Sequence, residues 1–377
     1  MKQQKKVLHI VGAMNRGGTE TMLMNLYRNI DRDKIQFDFV SFSQAEAHYD
    51  EEIKLLGGKV IKISKSNSVK ELIEVINDNG PYAVVHAHTL FNSGIAMLAA
   101  KKCGVKVRIV HAHTTKDDSS SLLRKIYIKS MRYLINNNST NTLACSKEAG
   151  KYLFGDKEIK KNKHNYFPNL INYEDLLKEP KQEVEIFKEK QNLKDSIVIG
   201  HIGTFKESKN HKFLLEITKY MKEHNIDIKL LLVGDGGLRI ELETLAKEYN
   251  IYGSVRFVGI REDINVMLHS MDVFVFPSIF EGLGLVLLEA QATGLPCIVS
   301  EAIQAEADLD LGLVNQLNLS DGVKKWSQEI LKVKGIKERN INKIKKSFEE
   351  KEYSTDKCIY KLMKLYNIDD KEIYKVS

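Results

Sequence analysis

The stretch that decides the fold is Phe276-Pro-Ser-Ile-Phe-Glu-Gly-Leu-Gly-Leu-Val-Leu-Leu-Glu-Ala-Gln-Ala-Thr-Gly-Leu-Pro296. A buried strand is predicted to end at Pro277, and the glycine-containing turn that follows presents Glu281. A helix is expected to begin near Gly284 and to carry Glu289 about a turn and a half inside it. Free N–H groups at a helix start favour a phosphate, and carboxylates accept hydrogen bonds from hydroxyl groups. The stretch therefore predicts a strand–turn–helix unit that binds a ligand with both groups; helix capping is the alternative role for Glu281.

Two further glycine-rich turns follow predicted strands. The turn Gly12–Thr19 has Gly18 where a phosphate-binding loop has its lysine, which excludes a nucleotide triphosphatase, and it also lacks the dinucleotide fingerprint. The turn Gly234-Asp-Gly-Gly237 holds the same position in the second half of the chain. Ligands of open parallel sheets bind at the carboxyl ends of the strands, so the two turns together predict one cleft between two domains. Each turn alone could be a tight connection.

The chain has 377 residues, of which 43% are hydrophobic and 28% are charged, and this composition excludes a disordered or fibrous protein. Short apolar runs alternate with helical patterns, which predicts the α/β class with two Rossmann-like domains that face an interdomain cleft. The expected division is a first domain over 1–171, a linker over 172–195, a second domain over 196–350 and a helical tail over 351–377 that could cross back to the first domain. The predicted strands are Val7–Val11, Phe37–Phe42, Lys59–Ile63, Ala83–His86, Val107–Val110 and Thr142–Ala144, and then Ile197–Gly203, Lys229–Val233, Ser254–Val258, Val273–Phe276 and Pro296–Val299.

The net charge of the chain and the spacing of its cysteines limit the cellular location and the binding partners that we expect. The net charge of +7 comes mostly from lysines spread along the chain, so no nucleic-acid partner is expected. No C-x-x-C pair is present, which argues against a zinc ribbon or a disulfide framework and fits the cytoplasm. No apolar run is long enough to span a membrane. The four cysteines are Cys103, Cys145, Cys297 and Cys358.

Two strand ends carry the pattern His-Ala-His. Strand alternation places His86 with His88, and His111 with His113, on common faces. Four imidazoles could hold a metal, but no carboxylate or cysteine stands at a companion spacing, so no metal site is predicted. Proton handling or hydrogen bonding to a hydroxyl-rich ligand is the favoured role, with His86 and His111 expected to be structural histidines whose hydrogen bonds are satisfied.

Taken together, these motifs resemble the retaining glycosyltransferase family 4, and within it the bacterial capsule and exopolysaccharide enzymes. The resemblance covers nearly the whole chain. It is carried by Gly17-Gly-Thr-Glu20, Gly200-His-Ile-Gly203 with Lys209-Asn210, Leu232-Val-Gly-Asp-Gly236, Glu281 and Glu289 with seven intervening residues, and Ala290-Gln-Ala-Thr-Gly-Leu-Pro296.

The resemblance implies a GT-B fold in which the second domain holds most of a nucleoside diphosphate sugar, UDP-linked in our expectation, and the first domain holds the acceptor. The nucleotide sugar is a substrate, and neither a cofactor nor a metal is expected. The implied catalytic residues are His113, Glu281 and Lys209. The family pattern places His113 at the transferred sugar, Glu281 at the donor sugar, Glu289 at the ribose hydroxyls, Lys209 at the diphosphate, the backbone of Leu285 and Val286 at the phosphates, Arg261 at the base, Gly17 and Gly18 at the sugar diphosphate, and Thr204, Gly234 and Gly282 in the donor site.

One position departs from the family pattern. Where relatives carry an arginine five residues before the matching lysine, this chain has Thr204. A threonine offers one neutral hydroxyl in place of a permanently charged fork, so either Arg261, Lys206 or another cation compensates or donor binding is weakened. Three functions stay open: transfer of a hexose or N-acetylhexosamine to a lipid-linked saccharide, a sugar-nucleotide epimerase or phosphorylase on the same scaffold, and a catalytically weakened sugar-binding subunit.

A predicted helix over 119–136 mixes apolar residues with cations. This pattern is equally typical of a helix packed on the first domain and of one that rests on an anionic membrane. A lipid-linked acceptor favours the second interpretation, which would place the protein on the inner face of the cell membrane.

Overall fold

The computed structural model describes residues 4–115, 121–156, 164–167 and 170–368. The chain divides into two compact units, one formed by Met1–Ile171 with Glu352–Ser377 and the other by Asn172–Lys351. The segment 172–195, expected to be a linker, therefore lies in the second unit, and most of the expected tail lies in the first.

In the described part of the first unit, seven strands form one parallel sheet. The strand Lys5–Val11 runs parallel to the strand Ile35–Ser41, in register from Lys5 opposite Ile35 to Val11 opposite Ser41. Near-continuous burial of these strands is typical of a parallel sheet that is covered on both faces. The last strand was not predicted, because the sequence His-Asn-Tyr contains no apolar run. The strands are β1 (Lys5–Val11), β2 (Ile35–Ser41), β3 (Val60–Lys62), β4 (Val84–Ala87), β5 (Val107–Ala112), β6 (Asn141–Ala144) and β7 (His164–Tyr166), in the spatial order β3-β2-β1-β4-β5-β6-β7.

Helices connect these strands and begin at recognisable caps. The side chains of Ser68, Ser121 and Ser146 each accept a hydrogen bond from the backbone N–H three residues later, which satisfies one donor at the helix start. The helix predicted over 119–136 begins at Leu122; positions 119 and 120 lie outside the described residues. The helices are α1 (Gly18–Asn29), α2 (Asp50–Leu55), α3 (Val69–Asn79), α4 (Ser93–Lys102), α5 (Leu122–Asn138) and α6 (Lys147–Phe154).

The second unit repeats this architecture. Its described strands form a six-stranded parallel sheet, and its helices include one within the segment expected to be a linker, where Val184 and Phe187 are buried. The strands are β8 (Ile197–Ile202), β9 (Ile228–Val233), β10 (Val255–Phe257), β11 (Val273–Phe276), β12 (Cys297–Ser300) and β13 (Val314–Leu317), in the order β10-β9-β8-β11-β12-β13. The helices are α7 (Lys181–Lys190), α8 (His211–Glu223), α9 (Arg239–Glu248), α10 (Ile264–His269), α11 (Leu285–Ala292), α12 (Gly322–Val333) and α13 (Ile341–Glu350).

The C-terminal segment is built into the first unit. Its helix α14 (Thr355–Leu365) is flanked by two tyrosines that make contacts far away in sequence. The hydroxyl oxygens of Tyr353 and Tyr166 lie 3.1 Å apart, and the Tyr366 hydroxyl lies 2.9 Å from Nδ1 of His86. Among the described residues, no helix is long and apolar enough to cross a membrane.

Strand order locates the candidate sites. In each sheet, successive strands are added first in one direction and then in the other. The order reverses between the adjacent parallel strands β1 and β4 in the first unit and between β8 and β11 in the second. Ligands of doubly wound sheets bind outside the carboxyl ends of the strands at such a switch point. The loops after these four strands are therefore the places to look for chemistry.

Candidate functional site

The second unit brings Lys209 and Glu281 into contact at the carboxyl ends of β8 and β11. Lys209 Nζ lies 2.6 Å from Glu281 Oε1, and the two side chains are only 14% and 12% exposed. Residues 72 positions apart in sequence thus form one ion pair with little water around it, where charge attraction is stronger than on an open surface.

A serine network fixes the turn that carries Glu281. The Ser278 hydroxyl donates to Glu281 Oε1 at 2.9 Å, and the Ser300 hydroxyl donates to the Ser278 carbonyl at 2.6 Å. The backbone N–H of Ile279 donates to the Ser208 carbonyl at 2.8 Å, which ties this turn to the one that carries Lys209. Sequence reasoning missed Ser278, although a serine three residues before a turn carboxylate is a typical hydrogen-bond partner.

The rings of Phe276, His201 and His211 lie near the Lys209 side chain. Its Nζ lies 4.9 Å from the centre of the Phe276 ring. Burial, and secondarily the charge of Lys209, lowers the pKa of His211 to about 3. Burial, followed by repulsion from His211 and then from Lys209, lowers the pKa of His201 well below its ordinary value. His201 Nδ1 lies 2.9 Å from the Val275 carbonyl oxygen, which only accepts, so this nitrogen carries the proton. Both imidazoles are therefore neutral at neutral pH and add no positive charge beside Lys209.

The helix α11 begins as the sequence predicts. Gly284 precedes it with a φ of +88°, and a Cβ there would lie 2.9 Å from the Phe276 ring, so both conformation and space favour glycine. The N–H groups of Leu285 and Val286 stand in the first turn, where an α-helix provides no acceptor. Glu289 follows one turn later, partly buried, and burial raises the pKa of its carboxyl to about 7.

The loop after β9 packs closely on the loop after β8. Gly234 has a φ of +130°, and a Cβ there would lie 2.2 Å from the Gly203 carbonyl oxygen. Thr204 is exposed beside this contact. Arg261, a candidate to replace the missing arginine, is held by Asp263 through two hydrogen bonds of 2.8 and 2.5 Å. Its guanidinium fork is thus already engaged, and Lys206 is exposed.

In the first unit, the predicted histidines gather into one cluster with a fifth member. His9 lies opposite His86 in the sheet register, and its Nδ1 is 3.1 Å from His88 Nε2. The other nitrogen of His88, Nδ1, is 2.9 Å from His113 Nε2. Burial lowers the pKa of His9 and His113 to about 3 and keeps the cluster neutral. Sequence reasoning missed His9, because only the pairing of β1 with β4 shows its position.

The expectation that His86 and His111 are satisfied structural histidines is wrong for His111 and half right for His86. His86 Nδ1 contacts the Tyr366 hydroxyl, whereas its Nε2 has no partner among the described residues. Within the same described ranges, neither ring nitrogen of His111 has one. Hydrogen-bond satisfaction depends on which groups face a ring in the folded sheet, and no strand pattern contains that information.

The remaining predicted residues lie in loops or at a helix start of their own units. Gly17 is the N-cap of α1, with extended backbone, and Gly18 is the first residue of that helix. Gly282 is buried directly after Glu281. The structure thus brings Lys209, Glu281 and the start of α11 together in the second unit, while His113 belongs to the histidine cluster of the first.

Two Rossmann-like units with these strand orders fit the GT-B fold, and comparisons with known proteins identify the family. The model of the family described as Glycosyltransferase Family 4 matches residues 16–175, and that of Glycosyl transferases group 1 matches residues 183–309. The chain belongs to glycosyltransferase family 4, and the protein is a glycosyltransferase.

Particular relatives support this assignment. The chain is 39% identical to the putative glycosyltransferase EpsF of Bacillus subtilis, over 97% of each chain. It is 29% identical to the capsular polysaccharide biosynthesis glycosyltransferase CapH of Staphylococcus aureus, over 76% of this chain and 78% of CapH. Among solved structures, Anabaena Alr3699/HepE in complex with UDP and glucose is similar in fold, with a TM-score of 0.78, 14% identity, and coverage of 97% of this chain and all of that one.

Proposed function

We propose that this glycosyltransferase moves a hexose or N-acetylhexosamine from a UDP-linked donor to a lipid-linked saccharide during capsule or exopolysaccharide synthesis, with retention at the anomeric carbon. The observation that best supports a donor site is the largely buried contact between Lys209 and Glu281 beside the start of α11. HepE, which shares the fold, was solved with UDP and glucose, and this supports the choice of nucleotide.

Each donor group has a matching partner in the second unit. The diphosphate is held by Lys209 and by the backbone N–H groups of Leu285 and Val286. Glu281 accepts hydrogen bonds from the donor sugar, and Glu289, in its ionised form, accepts them from the ribose. The loops at Gly234 and Arg261 border the nucleotide.

Charge on the departing diphosphate is the main electrostatic demand of the reaction. Lys209 supplies a fixed cation, and the start of α11 supplies partial positive charge, so we propose that transfer needs no divalent metal. When the bond from the anomeric carbon to the phosphate oxygen breaks, the acceptor hydroxyl attacks from the same face and its proton passes to the departing phosphate. Glu281 does not act as a nucleophile, since the two-carboxylate scheme needs a second carboxyl across the bond.

Helix α5 suits an acceptor that is anchored in a membrane. Its inner face packs through buried Met131 and Ile135. Its outer face exposes Leu122, Leu123 and Ile126 by 73%, 80% and 57%, together with basic side chains. Apolar side chains beside lysines bind anionic lipid surfaces, so we propose that this face rests on the membrane that holds the lipid-linked acceptor.

The donor proposal is tested with a panel of nucleotide sugars and lipid-linked acceptors in excess EDTA. Mass spectrometry identifies the transferred sugar, and proton NMR of the product reads the anomeric configuration. We expect UDP-sugar turnover with retention, and a loss of at least about 100-fold in kcat/KM for Lys209→Met, on the scale of removing one transition-state charge contact. No transfer and no donor hydrolysis by the folded protein would refute the proposal, and release of an epimerised donor or a free sugar phosphate would indicate the epimerase or phosphorylase function.

The membrane proposal is tested by co-sedimentation with phosphatidylglycerol vesicles. The double variant Leu122→Ser with Leu123→Ser is expected to lose most binding. Leu55→Ser is the matched control, because Leu55 is 80% exposed on α2 and is not part of the outer face of α5. Equal binding by all three proteins would refute the proposal for α5.

A further inference from the structure

A buried ring nitrogen without a partner lies beside Lys209 in the second unit. His201, on β8, is 0% exposed, and its Nε2 has no hydrogen-bond partner among the described residues. We propose that His201 is a positioning residue for Lys209: its Nε2 accepts a hydrogen bond from the Lys209 ammonium through one bridging water and keeps the ammonium aimed at the donor diphosphate. The inference rests on the proposed function, because that function assigns Lys209 to the diphosphate.

The protonation state of the His201 ring follows from its other nitrogen. Nδ1 lies 2.9 Å from the Val275 carbonyl oxygen, so Nδ1 carries the proton. Burial, followed by repulsion from His211 and then from Lys209, keeps the pKa of the ring well below its ordinary value, so the ring is neutral. Nε2 therefore carries a lone pair and can only accept. A buried acceptor without a donor is costly, and buried polar atoms nearly always have a partner.

Gly203 allows the lysine to lie close to this nitrogen. A Cβ at Gly203 would lie 3.2 Å from His201 Nε2 and 3.4 Å from Lys209 Cε, so both side chains lie against the same side of this glycine. One water links polar groups that do not touch nearly as well as a direct contact does. The His211 ring, whose centre is 4.9 Å from that of His201, has two more buried nitrogens without partners among the described residues, and these give such a water further partners.

The number of donors on Lys209 fits this arrangement. An ammonium has three N–H donors. Glu281 Oε1 accepts one at 2.6 Å, and in the proposed function the diphosphate accepts a second. The third serves the water on His201. An ammonium that is held by Glu281 and His201 before the donor arrives needs little reorganisation when charge develops on the departing phosphate, and such preorganisation makes electrostatic stabilisation effective.

Two replacements separate the roles of the two nitrogens of His201. In His201→Asn, the amide nitrogen takes the position of Nδ1 and still donates to the Val275 carbonyl, but the acceptor at Nε2 is lost. The longer His201→Gln presents an amide oxygen near the position of Nε2 and loses the donor at Nδ1. We expect His201→Asn to weaken UDP binding in calorimetry about tenfold, the scale of one hydrogen bond to a charged group, and His201→Gln to weaken it less than about threefold. Thermal unfolding should show the opposite order, with His201→Gln the less stable variant.

Gly203→Ala provides an independent test that leaves His201 unchanged. Its new methyl group would lie within 3.4 Å of both His201 Nε2 and Lys209 Cε, so it should displace the water and also weaken UDP binding about tenfold. The matched control is His269→Asn. His269 is buried in the second unit as well, and its Nδ1 lies 3.0 Å from the Asn265 carbonyl oxygen, but it is not part of the donor site. We expect this variant to bind UDP as the unaltered chain does.

Lys209→Met distinguishes a failure of this inference from a failure of the proposed function. If Lys209→Met weakens UDP binding, the double variant with His201→Asn should bind no more weakly than Lys209→Met alone, because both changes disrupt the same contact. Unchanged binding in both His201→Asn and Gly203→Ala, equal losses in His201→Asn and His201→Gln, or additive losses in the double variant would overturn the inference and leave the donor site standing. Unchanged binding in Lys209→Met would refute the donor site itself.

Discussion

Replacement of Glu289 by glutamine should make the second unit more stable at alkaline pH. Burial raises the pKa of this carboxyl from 4.5 to about 7 in the folded chain. Between these values the folded state keeps the proton that the unfolded state has lost, so stability falls as pH rises. At 1.36 kcal/mol per pKa unit, the shift corresponds to about 3 kcal/mol, fully lost above about pH 8. A neutral glutamine does not carry this cost.

The single tryptophan of the chain makes the measurement specific to the second unit. Trp326 is fully buried in α12, and its indole N–H donates to the Asn318 carbonyl at 2.9 Å. Urea unfolding followed by its fluorescence at pH 6, 7, 8 and 9 yields the free energy of unfolding at each pH. We expect this free energy to fall by about 1.4 kcal/mol between pH 6 and pH 9 in the unaltered chain, because about 2 kcal/mol of the total has already been lost at pH 6, and to fall much less in Glu289→Gln.

A control variant separates burial from the loss of any carboxylate. Glu241 is exposed on α9, so Glu241→Gln should retain the full pH dependence. The same replacement at Glu289 should weaken UDP binding at pH 8, because the ionised carboxylate is the form that accepts from the ribose. Parallel pH profiles for the unaltered chain and Glu289→Gln, or a Glu289→Gln variant that is less stable at pH 8, would refute the reasoning.

Three further changes test other parts of the structure. Gly234→Ala should destabilise the second unit by at least about 1–3 kcal/mol, because the backbone would be strained and the new Cβ would clash with the Gly203 carbonyl oxygen. Gly237→Ala is the control and should not destabilise it, because the space around Gly237 is open. Urea unfolding followed by Trp326 fluorescence measures both variants. Tyr366→Phe should cost about 1–3 kcal/mol by leaving a nitrogen of His86 unpaired, read by circular dichroism during unfolding, and an unchanged midpoint would contradict the role of that contact. Thr204→Arg should tighten UDP binding about tenfold or more in calorimetry, because it adds a second cation to the diphosphate site of Lys209 while Arg261 is engaged by Asp263, and an unchanged Kd would contradict this expectation.

Local patterns predicted the elements that carry strong signals. The apolar runs gave the strands β1 to β6 and β8 to β12 to within a few residues, and the glycine turn before α11 gave its start. The short strands β7 and β13 were missed, because His-Asn-Tyr and Val-Asn-Gln-Leu lack the continuous apolar run of a buried strand. Their pairing depends on neighbouring strands and not on their own composition.

For the candidate site too, the sequence predicted the residues but not the contacts between them. Motif spacing singled out Lys209, Glu281 and Glu289, but the ion pair between the first two depends on turns that Ser278 and Ser208 hold together. The engagement of Arg261 by Asp263 was likewise invisible, although the two residues are only two positions apart.

The sequence by itself determined the class of fold, the family and the residues that we propose for the donor site, because periodicity and motif spacing are local properties of the chain. Only the tertiary structure decided that His9 joins four other histidines, that Tyr366 reaches His86 from the far end of the chain, and that Glu289 is buried enough to titrate near neutral pH. Strand register, burial and hydrogen-bond partners arise from contacts between distant segments, and those contacts exist only once the sheets have formed.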